Sequence, residues 1–203
     1  MNKHTEIRVW DPFVRVFHWG LAAAFFIAYL SGDAWLDLHT LAGYTALGLI
    51  LARLPWGVIG TRHARFSDFV RPPRVALAYV RDLFLGRAKR HLGHNPAGGL
   101  MILALLVTLP LVALSGMALL SAEEGAGPLA GLMAGSPHWL AEGIEGLHEF
   151  LANLVLLMVG VHVLGVLVES LLHRENLIRA MFTGAKPARD DDEQDRPGPL
   201  HLN

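Results

Sequence analysis

Four long apolar stretches leave this chain few ways to fold. They are VFHWGLAAAFFIAYLSG (16–32), LHTLAGYTALGLILARLPWGVIG (38–60), AGGLMILALLVTLPLVALSGMALL (97–120) and LHEFLANLVLLMVGVHVLGVLVESLL (147–172). A helix needs roughly 20 largely apolar residues to cross the hydrocarbon core of a bilayer, and a slightly shorter one suffices. All four stretches qualify, the first at its lower limit. Hydrophobic residues make up 53% of the 203 and charged ones only 17%, unlike a soluble domain. The sequence predicts an all-α integral membrane protein, a four-transmembrane-helix bundle in contact with the lipid bilayer.

Charge placement orients the bundle. All seventeen Lys and Arg residues lie in the N-terminal segment, near the end of the second stretch, in the 61–96 loop, or after the fourth stretch. The other two connectors, SGDAW with Asp37 and SAEEGAGPLAGLMAGSPHWLAEGIEG, carry acids and His138 but no cation. By the positive-inside bias, both termini and the 61–96 loop are cytoplasmic and the acidic connectors face out. An even number of spans agrees with that assignment. The first stretch, with its histidine, its aromatic cluster and an acidic hairpin leading straight into another span, reads as a retained helix and not as a signal peptide.

The chain has no cysteine. Disulfides, thiolate metal sites, iron–sulfur clusters and covalent haem attachment are therefore excluded. A net charge of −1 calls for no nucleic-acid partner. Residues 1–13 read as a polar lead-in. Within the 61–96 loop, PRVALAYVRDLFLGRAKR mixes Val75, Leu77, Leu83 and Leu85 with Arg74, Arg81, Arg87, Lys89 and Arg90. It suits a short interfacial helix on an anionic leaflet, or a solvated loop that only sets topology. Residues 1–184 are expected to form one membrane domain, and residues 185–203 a disordered cytoplasmic tail.

Four of the eleven histidines belong to the spans: His18, His39, His148 and His162. The others, His4, His63, His91, His94, His138, His173 and His201, fall in loops or ends. A polar ring in hydrocarbon is costly unless something compensates it. His148 and His162 are fourteen residues apart, which puts them within about 40° of one helix face and about 21 Å apart along it. That spacing suits two separate sites, not one metal ion. The topology supplies a partner at each depth, pairing His18 with His162 on the inner half and His39 with His148 on the outer half.

A haem b fits between two such imidazoles, with one nitrogen on each side of its iron. Arg53, fourteen residues after His39, lies at the inner level. It would pair a haem propionate there with Arg15 as a second donor, or else snorkel to the interface. Gly43, one turn after His39, and Gly160 and Gly165 beside His162 would let a flat ring approach; glycines in membrane helices also serve ordinary helix contact. The third span has no histidine and reads as structural. A proton-relay channel and a divalent-metal transporter are the alternatives, although a transporter should carry more acids within its spans.

The segments VWDPFVRVFHW, LHTLAGY, RHARFSDFV, GHNPAGG and LHEFLANLVLLMVGVHVLGVLVESLLHRENLIRAM, in this order, resemble the prokaryotic cytochrome b561 family. That family includes the b-type cytochrome subunits of nickel–iron hydrogenases, and the resemblance covers residues 7–184. It implies a bacterial inner-membrane cytochrome with two b haems, passing electrons between a periplasmic redox partner and the quinone pool. On matching positions the iron ligands are His18, His39, His148 and His162. The long extra loops of some hydrogenase cytochromes are absent, which favours a stand-alone form or one serving a soluble c-type cytochrome. His94 and Asn95 could hydrogen-bond a quinone carbonyl, or Asn95 could cap the third helix with Pro96 in its first turn. The alternative within the family is a self-sufficient superoxide:ubiquinone oxidoreductase. The absence of cations from the outer connectors disfavours a superoxide funnel and suits a basic protein donor.

Overall fold

The computed structural model describes residues 6–189, apart from the side chain of Asp33. Four of its helices are long and apolar enough to cross a membrane: α1 (Pro12–Ser31), α2 (Leu36–Ile59), α5 (Pro96–Glu123) and α7 (His138–Leu172). Between them lie α3 (Phe66–Phe69), α4 (Pro73–Phe84) and α6 (Ala130–Met133), and α8 (Leu177–Thr183) follows α7. Strands β1 (Glu6–Arg8) and β2 (Ala185–Pro187) pair antiparallel, with Ile7 opposite Lys186. In hydrocarbon a backbone must satisfy its polar groups within its own segment, and an unbroken helix does so. Leu30, Val58, Val107, Leu157 and Leu171, each more than half exposed, face outward along the spans as a lipid-contacting surface would.

Helix boundaries follow local chemistry. The Asp11 carboxylate accepts from the Val14 amide at 2.9 Å, and Pro12 occupies the first turn, so α1 starts four residues before its apolar stretch. Asn95 caps α5 in the same way, accepting from the Gly98 amide at 2.7 Å, with Pro96 following. Pro110 stands inside an unbroken α5. The fourth span is longer than its apolar stretch. At 35 residues α7 is roughly 52 Å long, well beyond the ~30 Å of a hydrocarbon core. His138, expected in a connector, is its first residue, and pairs with Glu142 one turn on at 3.3 Å.

α1 packs along α2, and α5 along α7, while α2 and α5 join the two hairpins. Among the described residues no extended backbone packing connects α7 to α1 or α2. The closest-packed layer inside the spans takes one side chain from each: Phe25, Ile50, Leu109 and Val155. One end of the bundle carries the acidic connectors. The other carries the 61–96 loop and both described ends of the chain.

This basic end is more ordered than composition suggests. The expected polar lead-in is instead β1 followed by buried Val9 and Trp10, packed with Val14, Ala64 and Ala180. The expected tail also begins too early at residue 185, because β2 is an integral part of the fold. Gly184, at φ 83°, turns the chain, and its carbonyl accepts from the Val9 and Trp10 amides at 2.8 and 3.0 Å. Lys186 is buried and bonds Glu175 at 3.2 Å and the His91 carbonyl at 3.1 Å, while Arg90 bonds the other oxygen of Glu175 at 2.9 Å. Sequence-distant ion pairs of this kind leave no local signal. The expected tail beyond this strand, residues 190–203, lies outside the described residues, as do His4 and His201. Of the two readings of the loop, the structure has the helix: α4 buries Ala76 and Tyr79 against the bundle and exposes Leu77, Phe84, Arg74 and Arg81.

Asp11 ties this end together, since its second oxygen accepts from Thr61 at 2.6 Å and from the Trp56 indole at 3.1 Å. Burial would raise its carboxyl pKa, but the hydrogen bonds from Thr61, Val14 and Trp56 outweigh burial and hold it below the ordinary value. The stability it contributes is complete above the unfolded pKa and is lost as pH falls through the lowered folded one. Asp11→Ala should therefore lower the Tm in detergent at neutral pH, and its deficit relative to wild type should narrow as the pH drops below about 4.

Candidate functional site

Helix α7 carries two imidazoles on one stripe. His148 and His162 lie seven residues before and seven after Val155, the α7 member of the central apolar layer. The His148 ring faces His39 of α2, with ring centroids 5.9 Å apart and planes at 71°. The His162 ring faces His18 of α1 at 6.3 Å and 51°. The first couple is at the acidic end and the second toward the basic end. The apolar layer lies between them. Both couples cross the interval in which α7 stands off from α1 and α2.

At the acidic end, local backbone orients both rings. His39 Nδ1 is 2.9 Å from the Ala28 carbonyl in the last turn of α1, where helix carbonyls run out of intrahelical partners. His148 Nδ1 is 3.1 Å from the Val112 carbonyl and 3.0 Å from the Ser115 hydroxyl, which itself donates to Val112. A carbonyl only accepts, so each Nδ1 carries the proton and each Nε2 keeps a free lone pair. Gly116 makes room for this arrangement, because a Cβ there would stand 2.9 Å from His148 Cε1. The third span, which the sequence marked as structural, thus sets the orientation of a histidine. A histidine-free helix gives no sequence signal for that role.

The other couple is held differently. His18 Nδ1 is buried without a partner, and the His162 ring makes no hydrogen bond to any described residue. The Trp19 ring stands edge-on to His18 at 4.9 Å and stacks on Phe182 of α8.

Both couples meet the requirement of an iron taken between opposed nitrogens. A metal–nitrogen bond of about 2 Å, plus an imidazole radius of about 1.2 Å, on each side gives about 6.4 Å between centroids. The observed 6.3 and 5.9 Å agree with that distance. Among the described residues no group of three or more His, Cys, Asp or Glu could hold a metal ion. A two-donor site suits a metal whose remaining positions are filled by its own macrocycle. Gly43, one turn from His39, has nothing within 4 Å of where a Cβ would be, which leaves space beside that couple.

Arg53 is 3% exposed. Its Nη2 donates to the Ala64 carbonyl at 2.7 Å, and its guanidinium lies 5.1 Å from the Phe66 ring centre and 5.9 Å from that of Phe17. Its Nη1 is buried with no partner, which leaves a donor for an anion. Arg15 donates from Nη1 to the Thr183 carbonyl at 2.9 Å, and its Nε is likewise unpartnered. The His94 ring packs against Trp10 at 4.5 Å and Phe69 at 4.8 Å, and its Nδ1 is buried and unpartnered. Burial, and then the nearby Arg53 and Lys186 cations, push its pKa down to about 3, so it is neutral at physiological pH. Asn95 spends its side-chain oxygen on capping α5.

Against known proteins, residues 9–184 match the family model described as prokaryotic cytochrome b561. Three curated relatives bear the name probable Ni/Fe-hydrogenase B-type cytochrome subunit. Those of Azotobacter chroococcum mcd 1 and Azotobacter vinelandii are 24% and 25% identical, covering 94% of this chain and 92% of theirs. That of Rhodobacter capsulatus is 22% identical over 94% of this chain and 85% of its own. The alignments run to 227 positions, longer than the chain itself, so the relatives carry segments it lacks. No solved structure matches.

The Arg53 pocket depends on Gly57, where a Cβ would fall 2.1 Å from a Phe66 ring carbon. Gly57→Ala should displace Phe66 from the guanidinium and cost about 1–3 kcal/mol, as overpacking does. Thermal unfolding in detergent measures it.

Proposed function

Since the chain belongs to the prokaryotic cytochrome b561 family, a family of b-type cytochromes that transfer electrons in membranes, we propose that it holds two b haems and carries electrons between a periplasmic redox protein and the quinone pool. The observation that carries this reading is the pair of imidazole couples at 5.9 and 6.3 Å, set at two levels on one stripe of α7. His39 and His148 would hold one iron and His18 and His162 the other. When bound, haem supplies a reversible one-electron centre. An imidazole held on each side would leave no coordination position for a substrate, and outer-sphere transfer would follow.

The residues around the two levels divide the remaining work. The free Nη1 of Arg53 would neutralise a propionate of the haem at the basic end, and Arg15 would contribute its unpartnered Nε. Buried His94, neutral and with an unpartnered Nδ1, would hydrogen-bond a quinone carbonyl. Asn95 keeps only its amide nitrogen for that purpose. The central layer of Phe25, Ile50, Leu109 and Val155 is buried and apolar, offers water no hydrogen-bond partner between the levels, and would still let electrons tunnel.

The distribution of Lys and Arg supports an orientation in the inner membrane with both termini cytoplasmic and the acidic end periplasmic. The donor would dock on that acidic end. A basic c-type cytochrome suits its charge, and the names of the three relatives raise a nickel–iron hydrogenase as the other candidate. Oxidation of superoxide without a protein partner is the second reading. An anion approaching the acidic connectors is repelled, which weighs against it.

A dithionite-reduced minus oxidised spectrum with haem quantitation tests the proposal. Wild type should hold two haems per chain, and His18→Ala and His39→Ala should each disturb a different one. A colourless protein would sink the proposal.

A further inference from the structure

We infer that the centre at the acidic end has the lower potential, so that a single electron in the protein rests at the basic end. The inference depends on the dihaem reading and deepens it by saying where an electron rests. Both centres would have the same axial ligands, so ligand identity cannot separate them. What remains is hydrogen bonding to the ligands, nearby charge and burial.

Hydrogen bonding differs between the couples. At the acidic end both imidazoles donate from Nδ1 to backbone carbonyls, His39 to Ala28 at 2.9 Å and His148 to Val112 at 3.1 Å, with the Ser115 oxygen also within reach. Such a bond leaves the opposite nitrogen more basic and its metal richer in electrons. Ferric iron is stabilised by that and the potential falls. At the basic end, His18 Nδ1 has no partner and the His162 ring bonds no described residue. Those imidazoles are the weaker donors, and their iron is easier to reduce.

Charge acts in the same direction. Glu149 adjoins His148, Asp37 lies two residues before His39, and neither connector at that end contains Lys or Arg. At the basic end Arg53 is 3% exposed, so solvent screens it little. Asp11, held as a carboxylate by Val14, Thr61 and Trp56, offsets part of that charge, and Glu169 is a second buried carboxylate here, while Glu175 is matched by Arg90 and Lys186; with Arg15 counted, the cations of this set outnumber its carboxylates. A buried cation that neutralises a propionate disfavours ferric iron and raises the potential. With haem held at both couples, one electron would pass from the site of His39 and His148, which would be oxidised by one unit, to that of His18 and His162, which would be reduced by one. No bond changes and no proton moves.

Spectroelectrochemistry of the purified dihaem protein tests the inference. Wild type should show two one-electron steps, with at least a tenfold preference for the basic-end centre, equivalent to about 59 mV. Arg53→Gln should lower the higher step and leave the lower one in place. Ser115→Ala, which removes an acceptor and a support of the His148 bond, should raise the lower step alone. Each variant reports a different centre, so either can decide the order if the other does not fold. Two haems with a single unsplit step, or Arg53→Gln moving the lower step, or Ser115→Ala moving the higher one, would overturn the inference and leave the dihaem reading standing. Fewer than two haems per wild-type chain would overturn both.

Discussion

The structure depends on one constraint: an imidazole inside a bilayer is costly unless its polar atoms find partners. Helix α7 places two of them on one stripe with Val155 midway, and the surrounding helices answer each. α1 and α2 bring His18 and His39 opposite at centroid distances of 6.3 and 5.9 Å. α5, packed along α7, turns the His148 ring through Val112, Ser115 and the space left at Gly116. α7 gains its support from α5, so it can stand away from α1 and α2, and the interval so created is where the rings face each other. The arrangement places polar atoms such as His18 Nδ1 in an apolar interior without a partner, a cost that a group bound between the rings would offset.

The two ends of the bundle are built from different materials. The acidic end has one short connector and one that carries α6, and uses main-chain carbonyls at the end of α1 and within α5 to fix its rings. The basic end is a plug of aromatic rings, buried cations and a two-stranded sheet. There Tyr79 donates to Glu169 at 2.6 Å, tying α4 to α7, and Arg90, Glu175 and Lys186 tie the loop to the last strand. Buried pairs of this kind add little net stability over apolar packing, but losing one partner is costly. They therefore fix which segments meet. That plug keeps Arg53 and His94 out of water, each with one unpartnered nitrogen, beside the His18–His162 couple.

Much of this was legible before any coordinates. Hydropathy located four spans, because crossing a bilayer demands a length and composition that few soluble segments have. The positions of Lys and Arg ordered the histidines by depth. The failures have a common cause. Residues 6–10 and 185–187 look like polar ends because the information that orders them is in pairings across the chain, such as Ile7 with Lys186. The contribution of Ser115 and Gly116 was hidden because small residues in an apolar helix are common and usually concern helix packing. The extension of α7 back to His138 was masked by its polar composition, which marks the end of an apolar stretch but not of a helix.

By itself, then, the sequence determined the number of spans, their direction relative to one another and the spacing of histidines along α7, since these follow from period, length and charge placement within single segments. The tertiary structure decided the rest. It determined which nitrogen of His39 and His148 stays free, that Arg53 is buried with one guanidinium nitrogen on the Ala64 carbonyl, and that the side-chain oxygen of Asn95 caps α5. Those outcomes depend on which carbonyls, rings and cations come within about 3–5 Å of a side chain, and such distances arise only when distant segments pack.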